Sequence, residues 1–201
     1  MKTKKRSWLA RLAAVAFWLA LWQWAAAAVG QEVFLVSPVR ALSTLVELLP
    51  TGAFWGRVAF SSGRILLGFG LGCLCSAALA VAARLSGAVE VLLEPIIQLV
   101  KATPVASFVI LALVWVRGRE LSILISFLMA VPVLYSALRT GMASADAQLL
   151  EMARVFRLPW GRRLRAIWLP AVLPAFREGC RTALGLCWKS GVAAEVIGLP
   201  D

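Results

Sequence analysis

The chain has no histidine at all, one tyrosine and only ten acidic residues among its 201. Without histidine, neither a Ser–His nor a Cys–His nucleophile pair can be assembled. The few carboxylates are too scattered for a paired acid–base site. The phosphate-cradling pattern Gly-x-x-x-x-Gly-Lys-Ser/Thr is absent, which argues against a nucleotide site of that kind. The four cysteines, Cys73, Cys75, Cys180 and Cys187, sit inside apolar runs and form no Cys-x-x-Cys pair. They read as small helix side chains rather than as a disulfide framework or metal ligands. No catalytic residue, metal or cofactor is expected, and the enzyme classes recede.

Charge is also scarce. Charged residues make up 15% of the chain and hydrophobic residues 61%, with a mean hydropathy of +0.85. A soluble domain carries roughly 25% charge and roughly 45–50% apolar residues. A water-soluble fold of this size has too little interior to hide the excess apolar surface, whereas a bilayer takes it up. A spanning helix needs about 20 mostly apolar residues, and about five such stretches fit the chain with short loops between them. The fold class expected is therefore all-α, a polytopic helical membrane protein in the cell (inner) membrane, with no separate soluble domain.

The net charge of +11 could point to nucleic acid, but the positions of the charges point to lipid. Lys2, Lys4, Lys5 and Arg6 precede the first apolar run, and Arg154, Arg157, Arg162, Arg163 and Arg165 share one loop between later runs. Basic residues gathered in alternate loops mark the cytoplasmic side.

The first apolar run is Trp8 to Val29. Its basic leader and alanine-rich end also suit a signal peptide, but it is longer than such a core and more spans follow, so an uncleaved first helix with a cytoplasmic N-terminus is expected. Residues 1–29 thus form the tail and first span. Residues 30–60 form an outside loop holding a short surface helix near Val39–Leu49, with Trp55 at the interface. Residues 61–201 are expected to form the core domain. Its second span, Ser62–Ala83, is rich in glycine and alanine and suited to close helix contact. Arg84, Glu90 and Glu94 lie in an inside loop; the third span, Ile96–Val116, is interrupted by Pro104 after Lys101. Arg117, Arg119 and Glu120 form an outside turn, and the fourth span is Leu121–Leu138. The fifth, Ala171–Val196, is the most charged, and the chain ends Gly198-Leu-Pro-Asp201.

Between the last two spans, Thr140–Pro170 differs in kind. Asp146 suits a helix N-cap, and Glu151 suits the early turns that follow. Leu149, Leu150, Ala153 and Phe156 fall roughly on one face. Pro159 ends that helix, Gly161 allows a turn, and a second basic segment follows. Counting crossings from a cytoplasmic N-terminus places this loop inside, in agreement with its arginines.

The loop reads Glu151-Met152-Ala153, three residues, Arg157, nine residues, then Ile167-Trp168-Leu169-Pro170. This resembles the EAA motif of ABC importer permeases, the binding-protein-dependent transport inner-membrane components. Ser61-Ser-Gly-Arg64-Ile-Leu-Leu-Gly68-Phe69, Glu94-Pro95 with Lys101-Ala-Thr-Pro104, and Trp188-Lys-Ser-Gly-Val-Ala-Ala-Glu195 are similar to segments of the nitrate, sulfonate, taurine and bicarbonate type. The likeness runs from about Pro38 to Asp201.

The resemblance implies a type I importer fold and no hydrolysis of ATP within this chain. It implies a cytoplasmic ATPase dimer docked on the loop, a second permease copy, and an extracytoplasmic solute-binding protein that delivers the solute. On it, Glu151 is a polar anchor, Ala153 permits close approach, Leu150 and Phe156 give apolar contact, and Arg157, Gly161, Leu169 and Pro170 complete the coupling loop. Two departures stand out. Arg157 occupies the family's glycine position and is expected to force a different corner, moved to Gly161. The family also usually has one more spanning helix, which leaves open a truncated product or a different family boundary. The implied solute is small and anionic, a sulfonate, nitrate or taurine-like molecule; a thiamine-precursor-like solute also fits.

Charged side chains at membrane depth face protein or water. Arg64, Lys189 and Glu195, with the break at Pro104, are the candidates for a translocation pathway. Each has a plainer reading: snorkelling or internal pairing for the charges, a packing kink for the proline. Two other functions stay open at this level. One is a secondary transporter, although no inverted repeat is visible; the other is a membrane assembly protein derived from a permease.

Overall fold

The computed structural model describes residues 2–32, 34–116 and 118–198, with the backbone alone for 2–7 and 119. The predicted basic leader side chains, Arg117, the side chain of Arg119 and the last three residues lie outside this description. All regular structure among the described residues is helical, as the composition requires.

Two units divide the chain, 1–58 and 59–201. In the first, α1 (Lys2–Val29) is apolar on all sides beyond its basic start and Arg11, as suits a helix in lipid. Gly30 takes a positive φ of 65° just past its end, the usual left-handed stop. α2 (Pro38–Leu48) starts with proline in its first turn and Ser37 as its cap, whose hydroxyl accepts from the Arg40 N–H at 3.2 Å. It buries no residue, as a surface helix would not. The indole N–H of Trp22 donates to the Val36 carbonyl at 3.1 Å and ties the loop between them to α1.

The second span starts earlier than expected. α3 runs Gly52–Leu85, 34 residues, and the boundary between units falls within it. Nothing after Pro50 breaks a helix, so the segment expected to finish the outside loop is helical instead. At about 1.5 Å per residue, α3 exceeds the roughly 30 Å apolar thickness of a bilayer.

The second unit is organised around α6 (Gly118–Ala143). α3 buries Ile65, Gly68, Gly72, Ser76, Ala80 and Ala83 along one stripe. A Cβ on Gly72 would stand 2.5 Å from the Ala130 Cβ, and one on Gly68 would collide with the Ile123 carbonyl. The Ser76 hydroxyl donates to the Gly72 carbonyl of its own helix at 2.6 Å and to the Val131 carbonyl of α6 at 3.1 Å. α6 also meets α9 (Leu169–Ile197) through Gly179, Ala183, Cys187, Gly191 and Ala194. A Cβ on Gly179 would approach the Ala137 Cβ to 2.5 Å. Without a hydrophobic drive between helices in lipid, such close approach is what dispersion packing needs.

The third span is broken. α4 (Gly87–Ala102) and α5 (Val105–Leu113) meet at 98° across Thr103 and Pro104. Pro104 lacks an N–H and biases the residue before it away from the helical region. Glu90, in the first turn of α4, pairs with Arg139 near one end of α6. Leu113, ending α5, comes near Gly198, which also abuts Leu121 at the other end of α6. The pair thus runs the length of α6, as one interrupted crossing would.

Among the described residues, three helices are long and apolar enough to cross a membrane, or four with the bent pair taken as one. The expected fifth crossing, α9, has 29 residues but carries Arg177, Glu178, Arg181, Lys189 and Glu195. It agrees with the predicted Ala171–Val196 within two residues. α6 continues five residues past Leu138, because Gly141 stays helical against Val172 of α9.

Gly68→Ala should destabilise the protein by about 1–3 kcal/mol, since a backbone carbonyl cannot move aside. Gly70→Ala, whose Cβ meets nothing within 4 Å, should not. Thermal unfolding of the two purified variants in one detergent checks the contrast.

Candidate functional site

The loop between α6 and α9 holds α7 (Ala147–Val155) and α8 (Trp160–Arg163). Asp146 caps α7, its carboxylate accepting from the Gln148 N–H at 2.8 Å, as predicted. The other end corrects the sequence reading. The corner does not move to Gly161, which lies inside α8. It stays at Arg157, which takes the left-handed conformation with φ 48°. The Leu158 N–H donates to the Ala153 carbonyl at 2.9 Å, and the Arg157 N–H to the Arg154 carbonyl at 3.1 Å. This is a Schellman stop built on a residue with a side chain. Arg163 Nη2 donates to the same Ala153 carbonyl at 3.2 Å and ties α8 to the end of α7.

α8 passes into α9 through one π-helical turn, Leu164–Trp168. Pro170, in the first turn of α9, has no N–H to donate back into that turn, which leaves room for the wider ladder. Leu169 and Pro170 therefore shape the joint between loop and α9.

The predicted apolar face of α7 splits in two. Ala153 is fully buried, so the close approach it permits is to its own chain. Leu150 lines a cavity of about 440 Å³ with Arg84, Glu90, Arg139 and Trp168. In it the Arg84 guanidinium lies over the Trp168 ring at 5.4 Å. Leu149, Met152, Val155 and Phe156 point outward, Val155 and Phe156 each 72% exposed, beside the exposed Glu151. Sequence reasoning named Met152 in the motif and Arg163 in the basic loop, but missed Val155 and the outward face it shares with Met152. The signal was available: large apolar residues on a basic loop too short to bury both of its faces.

Two of the pathway candidates come together. Arg64 Nη1 lies 3.6 Å from Glu195 Oε1, its Nη2 donates to the Gly118 carbonyl at 2.9 Å, and its guanidinium lies over the Phe60 ring at 5.2 Å. This is the internal pairing that the plainer reading of Arg64 described, and it joins α3, α6 and α9 at one end of the unit. Lys189 is exposed and, among the described residues, forms no ion pair. Pro104 forms the break between α4 and α5, and Lys101 beside it donates to the Ser136 hydroxyl at 2.6 Å. Arg181 and Glu178 pair on the exposed face of α9 at 3.5 Å.

A family model described as binding-protein-dependent transport system inner membrane component matches residues 68–201. SsuC of Bacillus subtilis (strain 168), a permease protein named for aliphatic sulfonates transport, is 32% identical over 197 residues, covering 97% of this chain and 71% of that protein. SsuC of Escherichia coli (strain K12), named likewise, is 33% identical over 208 residues, covering 98% and 77%. The taurine transport system permease protein TauC of Escherichia coli (strain K12) is 30% identical over 171 residues, covering 82% and 62%.

A left-handed residue with a Cβ costs about 1–2 kcal/mol relative to glycine. Arg157→Gly should therefore keep the corner and slow amide exchange at Leu158, whereas the β-branched Arg157→Val should speed it about tenfold. Hydrogen exchange read by mass spectrometry across residues 150–160 decides.

Proposed function

The chain belongs to the binding-protein-dependent transport system inner membrane component family, and from that premise we propose that it is the membrane-spanning subunit of an ABC importer driven by a partner ATPase. It is a membrane transport permease of the inner membrane, and no step of bond chemistry is asked of it. In this reading, two ATPase subunits sit on the cytoplasmic side beneath two permease copies, and a solute-binding protein delivers from outside.

The observation that carries the reading is the outer face of α7. Met152, Val155 and Phe156 offer an apolar knob, Glu151 a carboxylate beside it, and Arg154 and Arg162 cations around it. A groove on a partner would desolvate the apolar side chains, and charge pairs at its rim would fix register. The knob has a stiff base. Arg163 ties α7 to α8, the π-helical turn continues into α9, and α9 is keyed by its glycines into α6. A push on α7 thus reaches α9 without crossing a flexible linker.

The arginine-rich loop favours a cytoplasmic position for α7, and with it an outer position for the Arg64–Glu195 end of the same unit. The names of the relatives favour an anionic sulfonate-type solute.

Phe156→Ala and Glu151→Lys, in the complex reconstituted in liposomes, should each lower solute-stimulated ATP hydrolysis and uptake at least tenfold. Ala153 is no test, since bulk there would disrupt the loop itself. Variants that assemble with the ATPase and transport at the unsubstituted rate would overturn the docking role of α7.

A further inference from the structure

α9 has a buried face of small residues and an exposed side on which a polar stripe lies among Leu184, Leu186, Trp188 and Val192. Gly179, Ala183, Cys187, Ser190, Gly191 and Ala194 are buried. The opposite stripe, at helical spacing, exposes Glu178, Thr182, Gly185 and Lys189. A Cβ on Gly185 would meet nothing within 4 Å. α9 is not among the helices apolar enough to cross a membrane by themselves, and a stripe holding charge at membrane depth is costly against lipid and calls for water or protein in front of it.

The charges on α9 then separate. Glu195 is paired with Arg64 at 3.6 Å, and Arg181 with Glu178 at 3.5 Å. Arg177 and Lys189 are left, and helix direction distinguishes them. Cα–Cβ bonds tilt toward a helix's N-terminus. Arg177 lies about 12 Å from the N-terminal end of α9 at about 1.5 Å per residue, and leans toward it, so its long stem reaches water there. Lys189 lies about 12 Å from the C-terminal end by the same rise, but leans away from it, toward the middle of the helix. Snorkelling to its nearer interface runs against its own geometry.

We infer that Lys189 is the solute-recognising cation of a water-filled path along the exposed face of α9, and that the path admits small anions carrying a sulfonate or carboxylate group. Thr182 and Gly185 form the path's floor beside it: a hydroxyl, and a gap where a side chain would intrude. Arg64, neutralised by Glu195, is a structural tie and not a second recognition point. The inference rests on the transport reading and deepens it, since it assigns the solute class to one side chain.

Thiol labelling tests it without needing ATP hydrolysis. Gly185→Cys and, separately, Thr182→Cys are placed in a chain carrying Cys73→Ala, Cys75→Ala and Cys180→Ala, within the assembled transporter in membranes. Each is reacted with a sulfonatoethyl and with a trimethylammonioethyl methanethiosulfonate. A focused positive potential changes encounter rates of charged reagents by about tenfold or more. The anionic reagent should therefore react at least tenfold faster than the cationic one. Lys189→Gln should abolish that preference, and Lys189→Arg should keep it. If neither cysteine reacts with either reagent, or if the preference is unchanged in Lys189→Gln, the inference fails. Failure of nucleotide-driven uptake with the labelling pattern intact would instead count against the transport mechanism and leave the anion path standing.

Discussion

Glycines on two helices let α3 and α9 close tightly on α6, and the rest of the second unit follows from that grip. Gly68 and Gly72 bring α3 onto α6, and Gly179 and Gly191 bring α9 onto it, at separations where an added methyl would meet backbone or a neighbouring side chain. Lipid offers no hydrophobic reward for helix association, so surface match must hold these helices together. The same closeness fixes the register of α9, and with it which of its faces is left outward. Small residues on one side oblige the larger and charged ones to the other.

Each end of the grip is tied by charge. Arg64, Glu195 and the Gly118 carbonyl join three helices at one end, and Glu90 with Arg139 joins α4 to α6 at the other. Next to that second tie stands α7, whose inner side rests on the cavity beside Trp168 and whose outer side is bare. A continuous mechanical route therefore runs from α7 through Arg163 and the π-helical turn to α9. The polar stripe lies on the element that would move, which is how a push at the loop could alter a path along the helix.

Much of this was legible in the residues. Composition alone gave a helical membrane protein, and the EAA-like spacing located the loop. Asp146 was readable as a cap because its chemistry is local. Helix ends were less legible. Gly52 and Ala143 extend α3 and α6 because no residue there forbids a helix, and hydropathy registers lipid contact rather than helix continuity. The corner at Arg157 was misread for a different reason. Preference for glycine at a left-handed position is worth only about 1–2 kcal/mol, and two backbone hydrogen bonds with an arginine brace hold the turn in place. The Arg64–Glu195 pairing is invisible in sequence, since 131 residues separate its members and only the α3–α6–α9 packing brings them together.

The central claim is that the outer face of α7 is where an ATPase grips this chain. Site-directed crosslinking addresses it directly: a photoreactive residue at Val155, or at Val196 near the opposite end of the unit, in membranes holding the partner ATPase. The account predicts a crosslink to the ATPase from Val155, altered in yield by ATP, and none from Val196. A crosslink from Val196 with none from Val155 would contradict it.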